Sequence, residues 1–186
     1  MILIRHGETL FNVVFGATRV DPGVHDPGLT PRGREQAVAA AEALRGEDVR
    51  RVITSPYRRA LQTADIVAGT LKLPVTVEPL IRERAAFACD VGTPAAELAR
   101  LWQTMAFDHL AETWWSEAGE THEALDARCR AFCRAMAGVP DWPHVAVITH
   151  WGVIRSLTGS PLKNAERVRF DPRAVVGRCL VEEQTK

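Results

Sequence analysis

A chain of 186 residues that is 46% hydrophobic is long and apolar enough to bury one sizeable core, which excludes disorder and favours a single domain. Its 23 lysines and arginines balance 23 aspartates and glutamates. That balance argues against a nucleic-acid-coating protein or a polybasic membrane binder, while leaving room for a local basic site. No apolar run approaches the roughly 20 residues that span a bilayer, and Arg5 and Glu8 interrupt the first apolar stretch too early for a signal peptide. The expectation is a soluble, cytoplasmic protein with no nucleic-acid or membrane partner.

In chain order, Ile2 to Arg5 reads as a first strand. The segment 13–28, with three glycines and two prolines, reads as a long loop of the kind that is often functional. "LTPRGREQAVAAAEALRG" predicts a helix, with Thr30 as N-cap, Pro31 in the first turn and Gly46 past the end. "VRRVITS" predicts the second strand, "PYRRALQTADIVAGTL" the helix after it, and "LPVTVEP" a third strand. The stretch 85–119, containing Trp114 and Trp115, is expected to be a mostly helical, cap-like insertion. Those two tryptophans read as core or cover ahead of substrate stacking.

Beyond it, Thr121 is a plausible helix N-cap, and Leu125, Cys129, Phe132, Cys133 and Met136 form a stripe on which both cysteines pack as free thiols. No CxxC or His/Cys cluster supports a metal site. "PHVAVITH" predicts the fourth strand, "GVIRSL" a short helix, and "AVVGRCLVEE" one or two C-terminal edge strands. Strands alternating with helices imply an α/β layered fold of one domain, 1–186.

Three strands carry chemistry-bearing residues at their C-terminal ends: Arg5-His6-Gly7, "SPYRRA" and "THWGVIR". In open α/β sheets that edge is where ligands bind. Two histidines and two arginines converging there suit a compact, multiply charged anion. Phosphate fits best, because guanidinium forks match its oxygens. Backbone N–H groups near Gly152 at the start of the short helix would add to the site. The arginines also disfavour imidazolium, which keeps a nucleophilic His6 neutral. His25, His109, His122 and His144 carry no motif and read as surface or structural residues.

The blocks "RHGETLFN", "LTPRGREQA", "SPYRRALQTA" and "THWG", in that order, resemble those of the histidine phosphatase superfamily, whose members include phosphoglycerate mutases. The resemblance implies a three-layer α/β/α sandwich with a mostly parallel central sheet. It implies His6 as the nucleophile that becomes phosphohistidine, with Arg5, Arg59 and His150 on the phosphoryl oxygens and Asn12 as a polar contact. Glu83 would be the proton donor, ahead of Glu78 at the strand end.

Arg59 rather than Arg58 matches the motif arginine. Arg19 could reach a second anionic group, and Trp151 stands where the family has a small glycine, as a possible wall against the leaving group. The function so implied is hydrolysis of a small phosphorylated metabolite without metal or cofactor. Alternatives are a phosphoglycerate mutase, against which "RAAFACDVGTPAAEL" lacks the mutase pattern, and a non-catalytic phospho-ligand binding module. The sequence carries no signal of substrate identity or oligomeric state.

Overall fold

The computed structural model describes residues 1–175. Its sheet has five strands, β1 (Ile2–Arg5), β2 (Arg51–Thr54), β3 (Val75–Val77), β4 (Val145–Thr149) and β5 (Arg167–Arg169), in the order β3-β2-β4-β1-β5. The first four pair in parallel, and β5 runs antiparallel along the free edge of β1. The helices are α1 (Leu10–Thr18), α2 (Pro31–Leu44), α3 (Arg58–Leu71), α4 (Ala95–Leu101), α5 (His122–Ala137) and α6 (Trp151–Thr158).

Alternation along the strands sends side chains to two separate cores. Ile2, Ile4, Val52, Ala146 and Ile148 meet the small residues Ala40, Ala41, Ala60 and Ala64 of α2 and α3. Leu3, Ile53, Val145 and Val147 meet Leu125, Cys129, Phe132, Cys133 and Met136 of α5, and Val153, Ile154 and Leu157 of α6. This is the expected three-layer α/β/α sandwich. The cysteines Cys89, Cys129 and Cys133 are buried free thiols.

The parallel register sets Arg5 opposite Thr149 and Thr54 opposite Ile148, so the strands end level. The residues that follow, His6, Ser55 and His150, therefore emerge at one place on the edge.

Three expectations are corrected. The segment 13–28 is helical as far as Thr18: Thr9 and Asn12 form a reciprocal capping box that starts α1, although none of the helix's residues is buried. The stretch 85–119 is helical only at 88–90 and over α4, and the remainder is turns and irregular chain. The antiparallel edge strand is β5 at 167–169, ahead of the stretch anticipated from sequence. Within that stretch, 174–183, residues 174 and 175 lie in a helical turn and the rest falls outside the described residues.

The stretch 85–119 is fastened by acids from the loop after α1. Buried Asp26 accepts from the Thr93 N–H and hydroxyl and from the Arg58 N–H, and Asp21 accepts from the Ala88 N–H. Met105, Phe107 and Trp114 then pack on Tyr57 and Leu61 beside β3, with the Trp114 indole donating to the Thr93 carbonyl at 2.9 Å. Trp114 is thus core; Trp115 packs edge-on against it.

Candidate active site

The loop after β1 is held by close backbone packing. A Cβ on Gly7 would lie 2.3 Å from the Gly33 carbonyl oxygen, and one on Gly33 only 2.1 Å from that of Glu8, so neither position admits a side chain. Around this contact, Gln36 accepts from the Glu8 N–H at 2.8 Å and Thr63 from the Gly7 N–H at 3.1 Å. The glycine and glutamine of "LTPRGREQA" and the threonine of "LQTA" therefore serve one purpose: they fix the turn that presents His6.

His6 is 4% exposed, and its Nδ1 lies 2.7 Å from the Gly7 carbonyl. A carbonyl only accepts, so Nδ1 carries the hydrogen and Nε2 is left with its lone pair. Burial, followed by the charges of Arg59 and Arg5, holds the imidazole well below its usual pKa. His6 is thus a neutral ring with a bare Nε2 among cations, the state a nucleophile toward phosphorus requires.

His150 stacks obliquely on it, ring centroids 5.1 Å apart, and is fully buried. The Arg59 Nε–H donates to His150 Nδ1 at 3.3 Å, so Nε2 carries the hydrogen, which points to Ser55 Oγ at 2.7 Å. Burial, then Arg59 and His6, keep this ring neutral as well.

Arg59 is the most constrained group of the site. Nη1 donates to the Cys89 carbonyl at 2.7 Å, Nη2 to Asp90 Oδ1 at 3.0 Å, and its guanidinium carbon sits 4.2 Å over the Tyr57 ring. Burial works against its charge, but the Asp90 carboxylate leads the groups that outweigh it, and the net shift is upward. Arg5 donates from Nη1 to the Leu162 carbonyl at 2.8 Å, while its Nε is buried with no partner. A donor left open in this way is available to an anionic ligand. The Nε of half-buried Arg58 is the other such atom among the described residues.

Glu83 follows the short 3-10 turn Pro79–Ile81. The N–H of Gly152, in the first turn of α6, donates to both carboxylate oxygens at 3.1 Å, and the Arg84 N–H to one at 2.9 Å. Gly152 thus holds the acid with the N–H that the sequence reading reserved for phosphate. Burial and then the Asp90 charge raise the Glu83 pKa, outweighing these N–H bonds and Arg59. A buried carboxyl whose proton affinity is raised in this way suits a general acid. Glu78 is spent on the Leu80 N–H as the cap of the 3-10 turn.

His6, His150, Arg5, Arg59 and Glu83 therefore lie close enough to perturb one another's charge. Asn12 accepts from Thr9 and from Asn164 Nδ2, which also donates to the His6 carbonyl, so Asn12 is fixed at the edge of the same site. Arg19, exposed at the end of α1, lies 5.8 Å over Phe15, which forms an aromatic trio with Phe11 and Phe87. Trp151 is 37% exposed with Arg155 stacked on it at 5.0 Å, so its indole faces solvent.

Of the four histidines read as structural, His109 and His144 lie within bonding distance of backbone carbonyls, and His25 and His122 are exposed. Sequence reasoning missed Ser55, Tyr57, Asp90 and Asn164. Ser55 could have been found as the first residue of the "SPYRRALQTA" block, whereas nothing near Asp90 marks it.

A profile of the histidine phosphatase superfamily (branch 1) matches residues 1–182. The chain is similar to a glucosyl-3-phosphoglycerate phosphatase of Mycobacterium tuberculosis, 31% identical over 179 residues covering 88% of this chain and 75% of the relative. A probable phosphoglycerate mutase of Erwinia tasmaniensis is 30% identical over 175 residues, covering 90% and 79%. Among solved structures, a mycobacterial glucosyl-3-phosphoglycerate phosphatase in complex with VO3 superposes with a TM-score of 0.64 at 28% identity, covering 90% of this chain and 88% of that one. Ordered motifs, sandwich fold and a match over almost the whole length agree: the chain belongs to the histidine phosphatase superfamily, branch 1.

Proposed function

We propose that this protein hydrolyses a small phosphorylated metabolite through a phosphohistidine at His6. The observation that carries the reading is the 2.7 Å approach of His6 Nδ1 to the Gly7 carbonyl, which leaves Nε2 bare beside two arginines. Nε2 attacks phosphorus as the P–O ester bond breaks, and Glu83 gives its proton to the departing oxygen. The Glu83 carboxylate then takes a proton from water, whose oxygen attacks phosphorus, breaks the P–N bond and releases phosphate. Arg5, through its unpartnered Nε, and Arg59 stabilise the phosphoryl oxygens, with His150 holding Arg59 and Asn12 lining the edge.

The leaving group would meet Arg19 and the Phe11–Phe15–Phe87 rim, where a sugar or other ring face and an acidic group both find partners. Trp151, turned outward in this structure, would bound the far side. The same chemistry is named in the mycobacterial glucosyl-3-phosphoglycerate phosphatases, which supports a phosphorylated sugar acid as the first substrate class to test. Against a phosphoglycerate mutase stands the segment after Glu83, "RAAFACDVGTPAAEL", which lacks the mutase pattern.

Two arginines, Arg5 and Arg59, replace what a cation would supply, so metal independence is part of the proposal. Buried free thiols support a reducing, cytoplasmic setting. Among the described residues no helix is long and apolar enough to cross a membrane. The test is a panel of phosphorylated metabolites with phosphate release as readout. Preferred hydrolysis of one monoester class is expected, and phosphoryl transfer between phosphoglycerates without phosphate release would contradict the reading.

A further inference from the structure

We propose that Asp90 is a positioning residue for phosphoryl transfer, holding the Arg59 guanidinium in the orientation that meets the phosphoryl oxygens and tying that orientation to the seating of the insertion. The proposal rests on the phosphatase reading above.

Arg59 has five N–H donors. Three are directed at protein: Nε at His150, one Nη1 hydrogen at the Cys89 carbonyl and one Nη2 hydrogen at Asp90 Oδ1. One hydrogen remains on each terminal nitrogen, the arrangement a phosphoryl group can accept from two oxygens. With Tyr57 against one face of the plane at 4.2 Å, the guanidinium cannot turn without breaking a contact. Two of its four fixed neighbours come from the short 3-10 turn Ala88–Asp90, which belongs to the insertion.

Asp90 is itself held from three sides. Its Oδ2 accepts from the Ala86 and Phe87 N–H groups, both at 3.1 Å. Its backbone carbonyl accepts from the Tyr57 hydroxyl at 2.6 Å, and its side chain is 2% exposed. Closing the turn needs one acceptor oxygen, which a neutral asparagine would also provide. A buried charge is costly unless paired, and the carboxylate is explained only by its second oxygen, the one on Arg59. The same charge sits near enough to Glu83 to raise the proton affinity of that acid. Displacing the insertion would therefore release Arg59 and unsettle the acid together.

The substitution Asp90→Asn separates the two duties, because the amide oxygen can still cap the turn while the NH2 group cannot accept from Arg59. Outer residues that orient a binding group typically contribute about 10–100-fold, and a loss of that size in kcat is expected with thermal unfolding little changed. A double-mutant cycle with Arg59→Ala decides the cause. If Asp90 acts through Arg59, Asp90→Asn costs less than about 2-fold in kcat/KM once Arg59 is gone. An equal loss in both backgrounds would reduce Asp90 to a structural anchor and overturn the proposal, as would wild-type kcat/KM in Asp90→Asn beside a crippled Arg59→Ala. Wild-type rates in Arg59→Ala itself would overturn the site reading and the proposal with it. Should Asp90→Asn fail to fold, Asp90→Glu keeps the charge on a longer arm, and the same cycle is run with it: a loss confined to the Arg59 background supports positioning, and an equal loss in both overturns it.

Discussion

Gly152→Ala should disable proton donation while leaving the nucleophile untouched. A Cβ built on Gly152 would lie 2.3 Å from Glu83 Oε1, where ordinary contact begins at 3.4 Å, so the carboxylate must retreat by the difference, about 1.1 Å. In retreating it loses the two 3.1 Å N–H contacts that aim it. Misplacement of a reacting group by about 1 Å can cost on the order of 100-fold. The fold should survive, because alanine is favoured over glycine within a helix by about 1 kcal/mol and the obstructing atom is the end of a side chain.

The assay is single-turnover phosphorylation of His6 by an alkyl phosphate and by p-nitrophenyl phosphate. An alkoxide needs a proton as it leaves and a nitrophenolate does not. We expect about a 100-fold loss with the alkyl ester and under about 10-fold with the aryl ester. Glu83→Gln should show the same leaving-group signature at roughly 10²–10⁴-fold for the alkyl ester. Equal slowing of both esters, or wild-type rates with both, would refute the role of Glu83, held by the Gly152 N–H, as the acid.

Arg59→Ala should lower kcat/KM by about 2–4 kcal/mol, as when a transition-state donor is removed, and Arg58→Ala by under about 1 kcal/mol; the reverse order in steady-state kinetics would misplace the phosphoryl site. His150 is held neutral, well below pKa 6.5, first by burial and then by Arg59. The unfolded chain therefore binds a proton that the folded chain refuses, and stability is lost as pH falls below 6.5. Glu83 and Asp26, raised by burial, act in the opposite sense at lower pH, so wild type and His150→Asn are compared: from pH 7.5 to 5.5, the unfolding free energy from urea titration should fall by about 1 kcal/mol more in the wild type than in the variant. Parallel slopes would contradict a buried neutral His150. Dialysis against EDTA should leave phosphatase activity intact, and activity restored only by a divalent metal would contradict metal independence.

The layers were legible because their signals are local. Near-continuous apolar runs such as "VAVIT" announce strands covered on both faces, and the Thr30-Pro31 start and Leu125-to-Met136 stripe announce helices. Helix α1 escaped because Val13, Val14 and Phe15 make no amphipathic stripe and none is fully buried; its start depends on the Thr9–Asn12 box. Strand β5 escaped because it is three residues long, reads Arg-Val-Arg and lies on an edge. In the site, His6, Arg59, His150 and Glu83 stood in motifs or beside strand ends. The partners that set their protonation and orientation came from afar: Asp90 lies 31 residues from Arg59, Ser55 is 95 from His150, and Asn164 is 158 from His6. Separations of that size leave no trace in spacing.

The central claim is that His6 Nε2 becomes covalently phosphorylated. Acid-sensitive, base-stable phosphate should be trapped on the wild-type protein by rapid base quench during turnover of p-nitrophenyl phosphate, and mass spectrometry should place it on the His6 peptide. His6→Ala should retain the fold and neither trap phosphate nor turn over. Phosphate found on another residue, or His6→Ala hydrolysing substrate at near wild-type rates, would contradict the account.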